Sequence, residues 1–358
     1  MNTKNSCSIL PILRVISGLV LTLALGILAW WLSKKVYALE LPLNIPGKVL
    51  EYPIWAVLLG IGANLLLRLF GGREFIRPGV RTEFFLKIGL VLMGAGINLQ
   101  LLVTTAGGAI LQALIMITSV FFFTFWLATR LGLDEKLRAV MSTALAVCGV
   151  SAAIAAAGSV QAKKEQVTYV VTLVILVAMP MMVIAPLIGE SLHLPDAVAG
   201  AWFGGNIDTT AAVIGAGTIY SEGAQKVATI VKSTQNALIG VIAFLLALYF
   251  ASRAESGKRP SLRIIWERFP KFVLGFVLAS ILYSVGWIDG GKGTAIEALK
   301  NWAFTLAFVS MGLEFAFGEL KSMGWKPVAV FLIATLFNTL LALGVAWAIF
   351  GYLLPIAP

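Results

Sequence analysis

Apolar runs separated by short polar or charged stretches follow one another along almost the whole chain. Several runs, such as residues 110–125 and 241–250, are apolar on nearly every face, whereas a membrane-spanning β-strand alternates apolar and polar positions. A helix needs about 20 mostly apolar residues to cross a bilayer. The pattern predicts an all-α polytopic membrane protein with about eleven transmembrane helices, at residues 12–32, 53–70, 84–99, 107–129, 137–159, 167–189, 196–217, 226–251, 270–287, 301–317 and 326–352.

Composition excludes several classes of protein. The 358 residues are 59% hydrophobic and only 12% charged, about half the charged fraction of soluble domains. The short polar stretches leave no room for a sizeable soluble enzyme domain. Two cysteines, Cys7 and Cys148, provide neither a disulfide framework nor a metal cluster, and no P-loop, zinc motif or hydrolase elbow occurs. We therefore expect no enzyme activity, no cofactor and no metal.

The net charge of +10 is better explained by membrane topology than by nucleic acid, because the basic residues lie between the apolar runs. With the amino terminus in the cytoplasm, 18 of the 27 Lys and Arg residues fall on the cytoplasmic side and 8 on the other. This split predicts a cytoplasmic amino terminus. We expect one membrane domain over 1–358, with eight spans in 12–250, an amphipathic Arg-rich cytoplasmic connector at 252–269 and three spans in 270–352.

Two offsets of the chain against itself suggest internal repeats. An offset of about 216 residues pairs Gly96 with Gly312 and Phe121 with Phe337, with an odd number of spans between the copies. Inverted repeats of this kind are typical of secondary transporters. A shorter offset pairs Ser151 with Thr210 but implies parallel copies, unless one span is re-entrant. Chance matching of Ala- and Gly-rich stretches remains the alternative for both offsets.

Two spans have the composition of a broken helix. Gly149 precedes Ser151, and Gly204-Gly205-Asn206 precedes Asp208-Thr209-Thr210, so a helix breaker stands before residues that cap a new amino terminus. The amino terminus of such a half-helix offers free N–H groups and partial positive charge to an anion. The alternative is close helix packing, for which small residues are also enriched.

Three ionisable residues lie deep in the predicted spans: Asp208, Lys232 and Glu314. Each costs at least ~2.5–3.5 kcal/mol at mid-bilayer, so each needs a partner or an aqueous cavity. Asp208 and Lys232 could simply neutralise each other, and Glu314 could be hydrated near the cytoplasmic end of its span. Lys232, Gln235 and Asn236 share one helix face, which we expect to line a cavity.

The ordered motifs Gly89–Asn98, Cys148–Ala156, Asn206–Gly217, Val227–Lys232 and Met311–Glu314 resemble the YeiH-type family of bacterial inner-membrane proteins, which carries a sulfate-exporter label. That family is similar to the cation:proton antiporter and anion transporter superfamily. The resemblance implies inverted repeats, a core domain with two broken helices crossing at mid-membrane, a second scaffold domain and a homodimer. This chain departs from the family pattern at two places. Where it has Asn206-Ile207, the family often has His or a similar polar residue before the acidic residue. Where it has Gln235, a basic residue is common in the family.

These observations predict a secondary active transporter that exports a small anion, most simply a sulfur oxyanion such as sulfate or sulfite, or a sulfonate, coupled to H⁺ or Na⁺. Asp208 and Glu314 are the predicted coupling-ion residues. The predicted substrate-binding residues are Asn98, Cys148, Gly149, Ser151, Gly205, Asn206, Thr209, Thr210, Lys232, Gln235 and Asn236. Asn98 could equally be a helix end cap. The alternatives are a cation:proton antiporter without anion transport, and a passive channel or non-transporting membrane scaffold.

Overall fold

In the computed structural model, residues 6–37, 52–253, 262–288, 290–315 and 324–354 are described. They form helices joined by short turns, with no strand among them. The helices are α1 Ser6–Tyr37, α2 Tyr52–Leu69, α3 Arg73–Ile76, α4 Thr82–Gly94, α5 Leu99–Arg130, α6 Glu135–Ala146, α7 Val150–Val160, α8 Lys164–Ser191, α9 Asp196–Asn206, α10 Thr210–Tyr220, α11 Glu222–Ala237, α12 Ile239–Arg253, α13 Arg263–Arg268, α14 Phe272–Ser284, α15 Gly290–Glu314 and α16 Trp325–Ala346. A 3₁₀ turn, Arg77–Gly79, follows α3, and a π-helical segment, Trp347–Leu353, follows α16.

The predicted polytopic all-α membrane fold is confirmed. Six described segments are long and apolar enough to cross a membrane: Leu10–Lys35, Tyr52–Leu69, Leu99–Arg130, Lys164–Ser191, Glu222–Phe250 and Trp325–Leu353. The helices α7, α10 and α14 are apolar but shorter. Of the predicted connector at 252–269, residues 254–261 lie outside the described residues, and α13 forms its last part.

The chain divides into two compact units that alternate along the sequence. Unit 1 contains residues 1–97 and 274–315, and α15 packs in it against α2 and α4. Gly60 and Gly312 permit a very close approach of α2 and α15, because a Cβ atom added at Gly60 would lie 2.9 Å from Gly312 Cα. Small residues at helix contacts are expected where water provides no driving force for association.

Unit 2 contains residues 98–273 and 316–358, and both predicted broken helices belong to it. Helix α11 packs against α9, α10 and α5, while α16 packs against α9 and α5. Gly200 and Gly204 on α9 lie against the carbonyl oxygens of Ala224 and Ala228 on α11, so the absence of side chains at these glycines lets the two helices pack closely. This close packing places the polar face of α11 beside the ends of the half-helices.

Candidate functional site

The first helix break lies between α6 and α7. Helix α6 ends at Ala146, and Gly149 caps α7 with φ 68° and ψ −107°, a conformation that only glycine adopts without strain. A Cβ atom at Gly149 would also lie 2.5 Å from Val174 Cγ1. Both the backbone angles and the packing therefore require glycine at this position, as the breaker interpretation predicts.

The second break lies between α9 and α10. Ile207 is extended, and the side chain of Thr209 caps α10 by accepting a hydrogen bond from the N–H of Ala212 at 3.3 Å. The prediction that Gly205 stands where the backbone leaves the helix is wrong by one residue, since α9 continues to Asn206. Gly205 instead packs against the Gln112 amide, so the close-packing alternative explains this glycine.

The two breaks lie against each other. A Cβ atom at Gly149 would lie 3.2 Å from the carbonyl oxygen of Asp208 and 3.4 Å from Asp208 Cβ. The carboxyl ends of α6 and α9 and the amino ends of α7 and α10 therefore meet in one place, which we call the crossing. The predicted pair of broken helices thus exists and forms a single local structure.

Lys232 is 1% exposed and lies at the crossing. Its ammonium group donates to the carbonyl oxygen of Val147 at 2.8 Å and to Gln235 Oε1 at 3.0 Å. Gln235 in turn donates from Nε2 to the carbonyl oxygen of Ala146 at 3.3 Å. The predicted polar face of α11 therefore binds the carboxyl end of α6, and the lysine charge opposes the negative end of that half-helix.

Asp208 is 4% exposed and makes no hydrogen bond or ion pair with any residue that the structure describes. It lies close enough to Lys232 for an electrostatic interaction, but the lysine ammonium bonds a carbonyl group and an amide instead. The two charges are therefore neighbours in the same site without forming the direct ion pair that sequence reasoning offered as an explanation.

Asn236 determines the orientation of a hydroxyl group at the start of α10. Its Nδ2 donates to Thr210 Oγ1 at 3.1 Å, so the Thr210 hydroxyl accepts there and must donate its own hydrogen elsewhere. At the other end of α10, Gln225 donates to Thr218 Oγ1 in the same way. The second contact provides a matched comparison outside the crossing.

A polar group on α5 and α16 is absent from the predicted site residues, because its side chains stand within otherwise apolar runs. Gln112 donates to the carbonyl oxygen of Ala201 at 2.7 Å, and Asn338 donates to that of Asn206 at 2.9 Å. The Thr339 hydroxyl lies 2.9 Å from Asn206 Oδ1. Isolated neutral polar residues inside apolar runs were the signal that could have found this group.

The remaining predicted residues have varied positions. Ser151 is exposed in the first turn of α7, and Cys148 is buried in the break between α6 and α7. Asn98 caps α5 by accepting a hydrogen bond from the N–H of Leu101 at 2.7 Å, as its end-cap alternative predicted. Glu314 ends α15 in unit 1, where it accepts a hydrogen bond from Thr82 at 2.9 Å.

Comparisons with known proteins identify relatives of unknown activity. A family model described as conserved hypothetical protein 698 matches residues 17–331. A UPF0324 membrane protein of Rhodopirellula baltica is 36% identical over 91% of this chain and 61% of its own length. A second, from Nitrosomonas europaea, is 30% identical over 84% of this chain and 72% of its own. A third, from Rhizobium meliloti, is 28% identical over 89% of each chain.

The chain spans about three fifths of the length of the Rhodopirellula relative and 55% of a relative from Nitratidesulfovibrio vulgaris. No solved structure matches it. The family match covers the crossing and most of both units. On this match and the Nitrosomonas relative, the chain belongs to the family of conserved hypothetical protein 698, the UPF0324 membrane proteins, as its YeiH-type motifs predict.

Proposed function

We propose that this membrane protein is a secondary active transporter that exports a small anion, a sulfur oxyanion or a sulfonate, in exchange with or together with H⁺ or Na⁺. The observation that carries the proposal is the contact between Gly149 and Asp208, because it brings two half-helix amino ends together beside a buried lysine. Crossing half-helices with their ends at one site are a common arrangement in secondary transporters.

The amino ends of α7 and α10 supply hydrogen-bond donors for the anion. The first N–H groups of a helix have no partner within it, and the helix dipole makes that end partly positive. At α10 the Thr209 side chain occupies the N–H of Ala212, which leaves the amides of Thr210 and Ala211 for a ligand. The Thr210 hydroxyl adds a donor, because Asn236 already occupies one of its acceptor positions. These are donors that suit oxyanion oxygens.

Lys232 supplies the positive charge in this proposal. Two of the three ammonium hydrogens bind Val147 and Gln235, and the third remains for an anion or for Asp208. An arriving anion would use that third donor and draw the ammonium further from the Asp208 carboxylate. Binding of a cation to the Asp208 carboxylate would then become more favourable. The anion and the coupling ion would therefore each raise the affinity of the site for the other.

A cation:proton antiporter is the second candidate, and the unpaired Asp208 favours it. A buried carboxylate with no hydrogen bond or ion pair among the described residues is suited to bind H⁺ or Na⁺. That candidate requires no anion at the amino ends of α7 and α10. Cargo competition by sulfate and by sodium therefore separates the two proposals.

The test is transport by the purified full chain in liposomes. Radiolabelled sulfate, sulfite and a small sulfonate should exchange across the membrane, and an imposed Na⁺ or H⁺ gradient should drive at least one of them uphill. A passive channel would only equilibrate the label. Exchange of Na⁺ for H⁺ without any anion movement would replace the proposal with the antiporter.

A matched pair of serine variants on α7 locates the anion. Ser151→Ala removes a hydroxyl in the first turn of α7, whereas Ser159→Ala removes one that bonds the carbonyl oxygen of Ala155 near the other end. We expect Ser151→Ala to raise the KM for the anion several-fold and Ser159→Ala to leave it unchanged. Equal KM values in both variants would remove the amino end of α7 from the anion site.

Several further properties belong to the same proposal. We expect a homodimer in a bacterial inner membrane, with a cytoplasmic amino terminus, no enzymatic activity and no cofactor. The basic-residue split supports the orientation. A reporter fused after Arg259 should be cytoplasmic and one fused after Pro358 periplasmic. A cytoplasmic signal at Pro358 would contradict the proposed topology.

A further inference from the structure

The carbonyl oxygens at the carboxyl ends of α6 and α9 accept hydrogen bonds from different kinds of donor. At the end of α6, the carbonyl oxygens of Ala146 and Val147 accept hydrogen bonds from Gln235 and from the Lys232 ammonium. At the end of α9, the carbonyl oxygen of Asn206 accepts from the neutral amide of Asn338. Each end carries about half a negative charge. Among the described residues, a cation therefore hydrogen-bonds the end of α6, whereas a neutral amide hydrogen-bonds the end of α9.

Two buried side-chain oxygens at α9 have no donor. Gln112 and Asn338 are 0% and 1% exposed, and each uses its amide nitrogen to donate to a carbonyl oxygen of α9. Those bonds determine which way each amide points. Gln112 Oε1 and Asn338 Oδ1 are thus left as acceptors without a hydrogen bond from any described residue. Gln112 bonds the middle of α9, but its amide also lies against Gly205, close to the carboxyl end. An unsatisfied buried acceptor costs about 1–3 kcal/mol, so two of them on this helix indicate a ligand.

Further oxygens lie at the same helix end. The carbonyl groups of Gly204 and Gly205 accept no hydrogen bond within the described part of the chain, because α9 stops before their usual partners. Asp208 follows two residues after the end of α9 and has no hydrogen bond or ion pair there. Asn206 Nδ2 is also without an acceptor, and a water bound to an ion would provide one.

We propose that the carboxyl end of α9 binds one Na⁺ ion through Gln112 Oε1, Asn338 Oδ1 and the terminal carbonyl oxygens of the helix, with Asp208 as the countercharge. Oxygen donors at the carboxyl end of a half-helix are a known arrangement for Na⁺ in transporters. A single carboxylate and neutral oxygens suit one positive charge, whereas Ca²⁺ takes six to eight oxygens and favours several carboxylates. The described residues contain no group of three or more His, Cys, Asp or Glu side chains that could hold a divalent metal.

In this proposal the carboxyl ends of α6 and α9 each lie beside a cation. The cation at α6 is the Lys232 side chain, whereas the cation at α9 is an ion that binds reversibly. The ion would lie beside the amino end of α10, where the proposed anion binds, so each would stabilise the other through the short distance between opposite charges. The role of this ion in coupling rests on the proposed transport function, whereas its binding can be measured without transport.

The test measures Na⁺ binding to the purified full chain in detergent. The unfolding temperature is recorded against NaCl, with choline chloride keeping the ionic strength constant and KCl as the comparison, and binding is confirmed by calorimetry. We expect a saturable rise in Tm with Na⁺ that K⁺ does not reproduce. Asn338→Ser and Gln112→Ser should each weaken the apparent Na⁺ affinity at least tenfold.

Asn64→Ser is the matched control. Asn64 in unit 1 is also buried, donates from Nδ2 to the carbonyl oxygen of Phe315 at 2.6 Å and leaves Oδ1 without a donor. The Arg68 guanidinium already binds the same carbonyl oxygen at 3.1 Å, so this helix end has a fixed cation. Asn64→Ser should therefore keep the wild-type Na⁺ affinity. Because a serine at 338 or 112 could prevent folding, Asp208→Asn, which keeps the side-chain shape, provides an independent loss of Na⁺ affinity.

The outcomes separate the two proposals. The Na⁺ site is overturned if wild type shows no Na⁺-specific shift, if K⁺ acts equally, if Asp208→Asn keeps full affinity, or if Asn64→Ser loses affinity as much as Asn338→Ser. Specific Na⁺ binding in a protein that moves no anion supports the site and contradicts the proposed function. Anion transport driven by H⁺ without Na⁺ binding supports the function and overturns the site.

Discussion

The two broken helices have nearly the same dimensions and are built differently. Helix α6 has 12 residues, and α7, α9 and α10 have 11 each. The first break depends on one glycine with positive φ, whereas the second uses extended backbone and the Thr209 side-chain cap. The first holds a lysine at its carboxyl end, and the second leaves oxygens there. Two breaks of similar geometry can thus differ in what balances the negative charge of the helix carboxyl end: a fixed lysine at the first break and, in our proposal, a bound ion at the second.

The largest effect is expected from removing the fixed charge at the first break. Lys232→Met would leave the Val147 carbonyl oxygen buried without its donor and Asp208 without a nearby positive charge. Breaking a buried charge interaction from one side costs about 3–5 kcal/mol. We expect anion binding to be abolished and the unfolding temperature to fall clearly.

Lys226→Met is the control for that prediction, since Lys226 lies on the same helix, is partly exposed and pairs with Glu222 at 2.6 Å. Exposed pairs contribute about 0.2–1 kcal/mol. Anion binding measured by calorimetry should be unaffected in Lys226→Met. Normal anion transport by Lys232→Met would mean that amides and hydroxyls alone hold the substrate.

A smaller loss is expected at Gly149. Gly149→Ala would combine an unfavourable positive φ with the overlap against Val174, and we expect a loss of about 2–3 kcal/mol in unfolding free energy, from backbone strain and overpacking together. Gly132→Ala is the control, because Gly132 has φ 73° and open space around it. It should lose only about 1 kcal/mol, the strain alone. Equal losses on reversible unfolding would show that the contact at the crossing contributes nothing.

Asn236→Ala should have a moderate and specific effect. Without the donor from Asn236, the Thr210 hydroxyl is free to turn its hydrogen away from the anion. We expect about a tenfold higher KM for the anion, which corresponds to about 1.4 kcal/mol. Gln225→Ala removes the equivalent contact to Thr218 at the outer end of α10 and should leave KM unchanged. A raised KM in both variants would indicate a general loss of helix packing.

The smallest effect concerns the outer end of the first broken helix. Asp134 caps α6 by accepting from the N–H groups of Lys136 and Leu137. Burial by itself raises the pKa of Asp134, but the hydrogen bonds from Gln166, Leu137 and Lys136 outweigh it, so the pKa lies below 3.8. The stability from a lowered carboxyl pKa is present above the unfolded-state value and disappears as the pH falls through the folded-state value.

Asp134→Asn should therefore cost about 1 kcal/mol or less at pH 7, and the difference from wild type should shrink as the pH falls below 4. Unfolding measured as a function of pH checks this result. Glu165→Gln, which neutralises an exposed carboxylate in the first turn of α8, is measured in parallel as the control for the loss of a charge near a helix amino end. A constant difference from pH 7 to pH 3 would contradict the pKa assignment.

Much of the crossing could be predicted from local sequence because it depends on local chemistry. Glycine followed by hydroxyl residues predicted both breaks, and the 3.6-residue period placed Lys232, Gln235 and Asn236 on one face. The partners of that face could not be predicted, because Ala146 and Val147 carry no polar side chain. Their role comes from carbonyl groups that every residue has, and only the end of α6 makes those groups available.

The sequence by itself determined that this chain is a helical membrane protein with two broken spans, since apolar length and helix-breaking residues act within a single helix. Tertiary structure decided which side chain donates a hydrogen bond to the carbonyl groups at each helix end. It assigned Lys232 to the carbonyl group of Val147 and Asn338 to that of Asn206, over separations of 85 and 132 residues. Such assignments depend on distances of about 3 Å between helices, and spacing along one chain does not contain them.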